Sequence, residues 1–410
     1  MAAPVFTLST ADAVLKEDYL PGVREQLNNN TALALFEKNS EDVVGRRAIL
    51  AAHVQRNPGV GSRSDGGALP NPGNQTYTDE WVYLKYHYGR INVSGPTIKA
   101  MNSDKGSFVR AIKSEMDGVT NDLRRNLNRQ CFGKSDGSIA TCGTTTASTT
   151  VQLATTTTAV QMRQLEVGFI VDIGTLGTSP TPVAGGANVS ITAQSAANKT
   201  ITISGAGVTT TSSNYVSIAG SGGGTTAQKE LTGLQSIVSA SGALFNIDPA
   251  SYPIWASYAD TNSGTLRSLS ENNFAKAQQQ VNIAGGVDVD LWIAADGVHR
   301  AYASLLTSLK RFPDTIDLKG GYKGLSAAAG GTNVVPVTWD RDAPSNTAFG
   351  LRTANLIEFR MSDWEWMDQD GAILQRSIGY DAYEAVLFKY AELATDKRNA
   401  HALVGDITEA

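Results

Sequence analysis

The chain has 410 residues, 18 % of them charged, and a formal net charge of −5 at neutral pH. That length provides for two or three domains and a substantial core. The acidic balance excludes tight nucleic-acid binding through a basic, phosphate-contacting surface as the main business. Two cysteines, Cys131 and Cys142, give no disulfide framework. No run is long and apolar enough to span a bilayer. Met1 to Phe6 lacks the basic start and apolar run of a secretory leader, so the chain reads as a soluble protein made in a cytoplasm.

In chain order, Ala11 to Asn28 carries a helical pattern of Val14, Leu15, Leu20, Val23 and Leu27, broken at Pro21-Gly22. Ala32 to Phe36 then adds a short apolar run. Basic and acidic residues nearly balance over this arm, which reads as a strap laid across another surface. Two strand-like runs follow, Arg47 to Arg56 and Glu80 to Ser94, rich in aromatic and β-branched residues. Alternation places Val82, Leu84, Tyr86 and Tyr88 on one face, and Trp81, Tyr83, Ile91 and Val93 on the other. Between the runs, Pro58 to Asn74 holds five glycines and three prolines and reads as a polar tip. A two-stranded ribbon with apolar groups on both faces is marginal in water and needs something to lie on, which points to another chain.

From Ser103 to Gly133 the pattern is one long amphipathic helix, with Phe108, Ile112, Met116, Val119, Leu123, Leu127 and Cys131 along one stripe. Arg110, Lys113, Asp117, Asn121, Arg124, Arg125 and Asn128 form the expected solvated side. Ser103 and Asp104 suit the start and Gly133 the stop. At 1.5 Å per residue this spine is roughly 40 Å long, and its stripe winds roughly 140° around it. Cys131 on the stripe reads as a buried free thiol.

Between Thr144 and Thr226 only Arg163, Glu166, Asp172 and Lys199 are charged. Alternation recurs in Val167, Phe169, Val171 and Ile173, then at Val189 and Ile191, Ile201 and Ile203, and Val216 and Ile218, predicting an inserted all-β barrel or sandwich. Gly220 to Gly224 closes it as a linker; it lacks the lysine and the spacing of a phosphate loop. Beyond it the pattern predicts a short strand at Leu234 to Val238 and an anchor of Tyr252, Pro253 and Trp255. A helix from about Thr265 to Gln280 follows, then a buried strand Asp290 to Ala294 leading into a helix with Val298, Tyr302, Leu305, Leu306 and Leu309. Gly350 to Trp366 reads as strands, Asp368 to Gly371 as a turn, and Tyr383 to Leu393 as the last long strand, with Ala400 to Leu403 behind it.

No constellation carries chemistry. His53, His87, His299 and His401 are scattered outside any zinc spacing, and the two cysteines have no partners. Asp368, Asp370 and Gly371 imitate half a calcium loop, but Trp366 and Ser377 occupy its first and last ligand positions. No Gly-x-Ser-x-Gly elbow or marked carboxylate pair occurs. The reading is non-enzymatic, with no catalytic residue, metal or cofactor.

The order of parts resembles the major capsid proteins of tailed bacteriophages with the Hong Kong 97 fold. SGPTIKAMNSDKGSFVRAIKSEMDGVTNDLRRNLNRQCFG (Ser94 to Gly133) is similar to the family's second ribbon strand running into its spine helix. VDLWIAADGVHRAYASLLTSLKRF (Val289 to Phe312) is similar to the strand and helix of its apical domain. GLSAAAGGTNVVPVTWDRDAPSNTAFGL (Gly324 to Leu351) and YDAYEAVLFKYAELATDKRNAHALVGD (Tyr380 to Asp406) resemble its Pro-Val strand with the following turn and its closing peripheral strand.

The resemblance implies an α+β fold divided into an N-terminal arm (1–45), an extended loop (46–98), the spine of the peripheral domain (99–143), the inserted β domain (144–226), peripheral strands (227–262), an apical domain (263–350) and return strands (351–410). It further implies a virion protein, assembled in the host bacterial cytoplasm into pentamers and hexamers of an icosahedral shell around double-stranded DNA. The DNA would be enclosed without sequence-specific binding. A portal, a separate scaffolding protein and a cementing or decoration protein are the implied partners, and no membrane is involved. Trp81, Tyr83, Tyr86, Tyr88, Arg63 and Arg47 are the candidate assembly-interface residues. No lysine occurs between Lys38 and Lys85, so the family's lysine–asparagine isopeptide lock has no donor in the extended loop, and non-covalent locking is expected. An encapsulin-like compartment shell, and a ligand-binding protein acting through the Thr/Ser-rich module, are the alternatives.

Overall fold

The structure, a computed structural model, describes residues 32–43, 45–101, 105–176, 180–223, 228–308, 315–317, 323–327, 335–368 and 372–410, with 100, 101, 105–112, 307, 308, 315–317 and 323–327 described as backbone only. Its longest helix runs over Lys105–Cys131, preceded by a short helix, Gly95–Met101, that the sequence pattern does not separate. The expected capping residues Ser103 and Asp104, and the side chains of Phe108 and Ile112, lie outside the described residues. Met116 and Val119 are half-buried, whereas Leu123, Leu127 and Cys131 are buried, so the apolar stripe gains cover toward its C-terminal end.

The expected solvated side holds only in part. Asn128 is buried: its amide donates to Asp340 Oδ1 at 3.0 Å and Asp342 Oδ2 at 2.9 Å, and its Oδ1 accepts the Ala32 N–H at 2.7 Å. Arg125 is half-buried and reaches Glu166 at 2.7 Å, and the neighbouring Arg129 is buried against Glu230. Three parts of the chain converge on this end of the spine, and buried polar groups persist there because each finds a partner.

The spine lies against a five-stranded sheet. Its central strand, Ala382–Thr395, is flanked by the antiparallel Leu356–Trp366 and Lys85–Ser94; Glu37–Asn39 adds in parallel beyond Leu356–Trp366, and Gln375–Arg376 completes it. The helix passes so close to the sheet at Gly89 that a Cβ there would sit 2.6 Å from Val119 Cγ1. Only a residue without a side chain permits that approach.

The expected single strand Glu80 to Ser94 is two strands in two sheets. Thr76–Tyr83 pairs with Arg47–Gln55 to make the ribbon, and Lys85–Ser94 pairs with Ala382–Thr395 in the body. Leu84, at the break, is buried with Ala48, Val82, Phe359 and Ala394. The face assignment therefore changes at that residue. Val82 and Leu84 are buried while Tyr86 and Tyr88 are exposed; Ile91 and Val93 are buried while Trp81 is half-buried and Tyr83 exposed.

A seven-stranded sheet builds the second lobe, in the order Tyr258–Asp260, Ala402–Val404, Ala348–Leu351, Leu291–Ala294, Val335–Trp339, Lys323–Ala327, Thr315–Asp317. Helices Glu271–Gly285 and Asp296–Ser308 cover it, and Phe274, Val281, Val298, Tyr302 and Leu306 fill the core around Trp292. The first of these helices begins later than the sequence predicts, because the Ser270 hydroxyl and the Asn273 amide form a reciprocal cap, and it ends at Gly286 in the left-handed region. Leu234 to Val238, expected as a strand, is a helical turn over Leu234–Ile237. Gly233 precedes it where a Cβ would lie 2.3 Å from the Gly133 carbonyl, so the segment docks end-on against the spine's exit instead of joining a sheet.

The inserted module is all-β apart from the short helix Ala159–Gln164. Its main sheet orders Ser138–Thr141, Tyr215–Ile218, Ile170–Thr175, Val189–Ser195, Thr200–Ile203 and Thr150–Gln152. Val171, Ile173, Val189, Ile191, Ile201, Ile203 and Val216 form one core. Val167 and Phe169 depart from the expected alternation and are exposed, because that strand starts only at Ile170 and Gly168, at φ +96°, turns the chain before it. Among the described residues no helix is long and apolar enough to cross a membrane. Of the expected turn, Asp368 is described and exposed, and Gln369 to Gly371 lie outside the described residues.

Candidate assembly interface

The ribbon has a covered face and a bare one. On the covered face Ala48 and Val82 are cross-strand partners that rest on Phe359 and Ala394 of the body sheet. Further out, Ala52 and Val54 pack on Ile247, Tyr252 and Trp255. The covered face does not need the other chain that the sequence analysis expects the ribbon to lie on, since its root is already seated on its own subunit. Glu80 lies in this covered face, 1 % exposed, and both its carboxyl oxygens lack a hydrogen-bond partner. Burial, with the Asp396 carboxylate adding to it, pushes its carboxyl up to about 9. The side chain is therefore protonated and neutral at physiological pH.

On the bare face the Arg47 guanidinium lies 4.8 Å from the Trp81 ring centre and 5.7 Å from that of Tyr83, and donates to the Tyr83 hydroxyl at 3.1 Å. Cation–π stacking of this kind holds both aromatic rings and the guanidinium in one arrangement. Ile49 and Tyr77 continue the stripe at 52 % and 65 % exposure, with Tyr77 against His53 at 5.1 Å. The Trp81 backbone N–H donates to the Phe245 carbonyl at 3.0 Å.

Tyr86 and Tyr88, 52 % and 55 % exposed, belong to a second surface on the body sheet. Tyr86 stands directly opposite Tyr390, and Tyr88 opposite Phe388, in the antiparallel register. Ring centres lie at 5.1 Å between Tyr86 and Tyr390, 6.0 Å between Tyr88 and Tyr390, and 4.9 Å between Phe388 and Tyr390. Such edge-to-face and tilted pairs stiffen one another. A hydrogen bond with Tyr390, then partial burial, holds the Tyr88 hydroxyl above the ordinary tyrosine range. Arg63 joins neither group: it lies exposed in the tip, donating to the Ser62 carbonyl at 2.9 Å. Of the six candidates, three therefore come together on the ribbon, two on the sheet, and one stands alone.

Ile49, Tyr77, Phe388 and Tyr390 are missing from the sequence-derived set. The last two are visible in sequence only as members of a strand; their place beside Tyr86 and Tyr88 comes from a register that joins positions about 300 apart.

The opposite face of the same sheet, under the spine, is closed with charge. Lys389 is buried between Glu358 and Asp363, Lys85 lies 3.7 Å from Glu392, and His87 sits among them. Burial, then the two lysines, drives His87 down to about 3, so it is neutral. Burial raises Glu392 to about 7 against the opposing pull of Lys85 and of the Thr232 and Leu393 N–H groups. No group of three His, Cys, Asp or Glu among the described residues is placed to hold a metal. What the geometry presents is two aromatic surfaces on a scaffold locked from behind.

No protein-family model matches the chain, and no curated protein sequence does. Solved structures do match. A chain of the capsid asymmetric unit of cyanophage A-1(L) aligns over 98 % of this chain and 100 % of its own length at a TM-score of 0.61 and 13 % identity. The holo-SrpI encapsulin complex of Synechococcus elongatus aligns over 99 % and 96 % at 0.48 and 9 %, and a structure of Mycobacterium phage Bobi over 99 % and 100 % at 0.47 and 10 %. At such identities the likeness is one of fold, and the fold is that of a tailed-phage capsid protein of the Hong Kong 97 type.

Proposed function

We propose that this chain is the structural subunit of an icosahedral phage head, closing as pentamers and hexamers around double-stranded DNA. The observation that carries this reading is the pair of bare aromatic surfaces on a capsid fold, each anchored from behind by its own subunit. A lone soluble protein gains nothing by presenting them, whereas an assembling one buries them. Many weak copies of one contact, repeated around a ring, then give a stable shell through multivalency. The mildly acidic chain suits a container that encloses DNA without gripping it. On this reading residues 46–98 are the extended loop and 1–45 the strap, and locking is non-covalent. Portal, scaffolding and decoration proteins are the expected partners. Electron microscopy with sedimentation of the purified full-length chain tests the reading. Uniform shells, or rings of five and six, are expected; a monomer at high concentration, alone and with a co-expressed scaffold, would overturn it.

A further inference from the structure

The parts of the subunit are joined in two different ways. The spine's exit and the sheet of the second lobe share one core, in which Leu127, Phe132, Leu291, Ile293 and Phe349 are buried together and the Phe132 and Phe349 ring centres lie 6.3 Å apart. The inserted module keeps a core of its own around Val171, Ile173 and Ile191, and among the described residues that core shares no member with those of the body. It hangs on a neck of two passes of chain. There the Gly223 N–H donates to the Asp136 carbonyl at 3.2 Å, and Gly137, at φ +80°, lies so close to Ser221 that a Cβ would sit 2.7 Å from its carbonyl oxygen. We infer that the module is a hinged lid, turning on this neck and held shut by a polar latch over the buried junction of spine, second lobe and arm root.

The latch is built at the end of the module's helix Ala159–Gln164 and just beyond it. Glu166 accepts from the spine's Arg125 at 2.7 Å. Arg163 donates to the Arg341 carbonyl at 3.2 Å and lies 3.8 Å from Asp296, and Gln164 donates to Asp342 Oδ1 at 3.4 Å. Behind the latch the Asn128 amide donates to both Asp340 and Asp342, and Asn128 Oδ1 holds the Ala32 N–H, so a disturbance at Asp342 reaches the arm root through one side chain. Two features make this cover a lid and not a fixed wall. An apolar interface, such as the one that fuses spine and second lobe, resists separation through the area it buries, whereas partly exposed ion pairs are individually weak and are screened by salt. Arg163 is exposed, and Glu166 and Asp296 are only half-buried. The neck, for its part, gathers Gly137, Gly220, Gly222 and Gly223, small residues that absorb the backbone rotation a hinge requires.

Hydrogen exchange of the full-length chain, read by mass spectrometry, tests this. The reporter amides are those of Asp342 and Ala343, which donate to Asp340 Oδ1 at 2.8 Å and to the Asp340 carbonyl at 3.3 Å, and that of Ala32. The controls lie in the module: the Ile173 and Ile191 amides, bonded to the Gly186 and Phe169 carbonyls. Arg163→Gln combined with Glu166→Gln should speed exchange at the reporters roughly three- to tenfold, the factor expected when partly exposed ion pairs are lost, and leave the controls unchanged. Raising salt from about 0.05 M to about 0.5 M should do the same to the parent chain and little to the variant. If the variant does not fold, the salt response of the parent chain decides alone. Unchanged reporter exchange in either experiment would overturn the inference. So would an equal acceleration of the controls, which would mean that the module unfolds and does not turn. The device belongs to the single subunit, so its failure leaves the shell reading standing.

Discussion

The inserted module and the ribbon are both built from short antiparallel strands, yet they treat their apolar residues in opposite ways. In the module, Val171, Ile173, Ile191, Ile201 and Val216 all turn inward to a common core, and the outward positions are mostly Thr, Ser and Gly. In the ribbon one face is seated on the body and the other displays Ile49, Tyr77 and Tyr83 to solvent. Alternation of apolar residues is therefore a statement about strands and not about what covers them. A strand pair with a core of its own is a domain, and one without is a limb that needs a partner.

This contrast orders the effects of substitution. The largest loss of subunit stability should come from the scaffold behind the aromatic floor: Lys389→Met leaves Glu358 buried without its counter-charge and should cost about 3–5 kcal/mol by chemical denaturation. Ile173→Ala, at a fully buried position in the module, should cost about 2–5 kcal/mol while leaving the ribbon's contacts untouched. Assembly by that variant, once folded, should be normal. If it is not, the module is not the independent unit that its core implies.

The ribbon root should respond to pH in the opposite sense from the body. Glu80 has its folded pKa raised, so the native state holds a proton that the unfolded chain releases; its burial is tolerated below about pH 4.5 and weighs against folding increasingly as pH rises toward about 9. Glu80→Gln should therefore raise stability by roughly 3 kcal/mol near pH 7 and by little near pH 4.5. His87 and His401 are both depressed to about 3 by burial, His87 also by its lysine neighbours, so the unfolded state binds the extra proton and their sites weaken as pH falls below about 6.5. His401, kept neutral by its burial, accepts the Arg352 N–H at Nδ1 and faces the Thr395 hydroxyl through Nε2 at 2.9 Å. Proteolysis of the ribbon that rises with alkali, alongside body unfolding that rises with acid, is the expected pattern; the same pH trend in both would contradict it.

The smallest effect is a gain. Gly118 lies inside the spine with open space where its Cβ would be, unlike Gly89, which faces Val119. Gly118→Ala should stabilise the subunit by about 0.5–1 kcal/mol, and Gly89→Ala should destabilise it by forcing helix and sheet apart.

How much of this was legible in the sequence follows from the range of the interactions. The spine, the module and the strand at Ala382–Thr395 are written in local periodicity, and so is the existence of the ribbon. The break at Leu84 is not, because the alternation runs through it unbroken and only the distant Phe359 and Ala394 reveal that the chain changes sheets there. Leu234 to Val238 reads as strand by composition, but its docking against Gly133 imposes a helical turn. Asn128 sits where helical periodicity predicts solvent, and it is buried because Asp340 and Asp342 arrive from more than 200 residues away. Arg47, Trp81 and Tyr83 were recoverable as one surface group because they are neighbours in one hairpin. Phe388 and Tyr390 were not, because their partners lie in another part of the chain.

The central claim is that the bare aromatic surfaces serve assembly and not folding. Its most direct test replaces Trp81, Tyr86 and Tyr88 together by serine and compares the variant with the parent chain by sedimentation velocity, with thermal unfolding recorded on the same samples. The account predicts a variant that unfolds at nearly the parent's temperature yet sediments as a single subunit under conditions where the parent forms closed shells. Normal shells from the triple variant would contradict it.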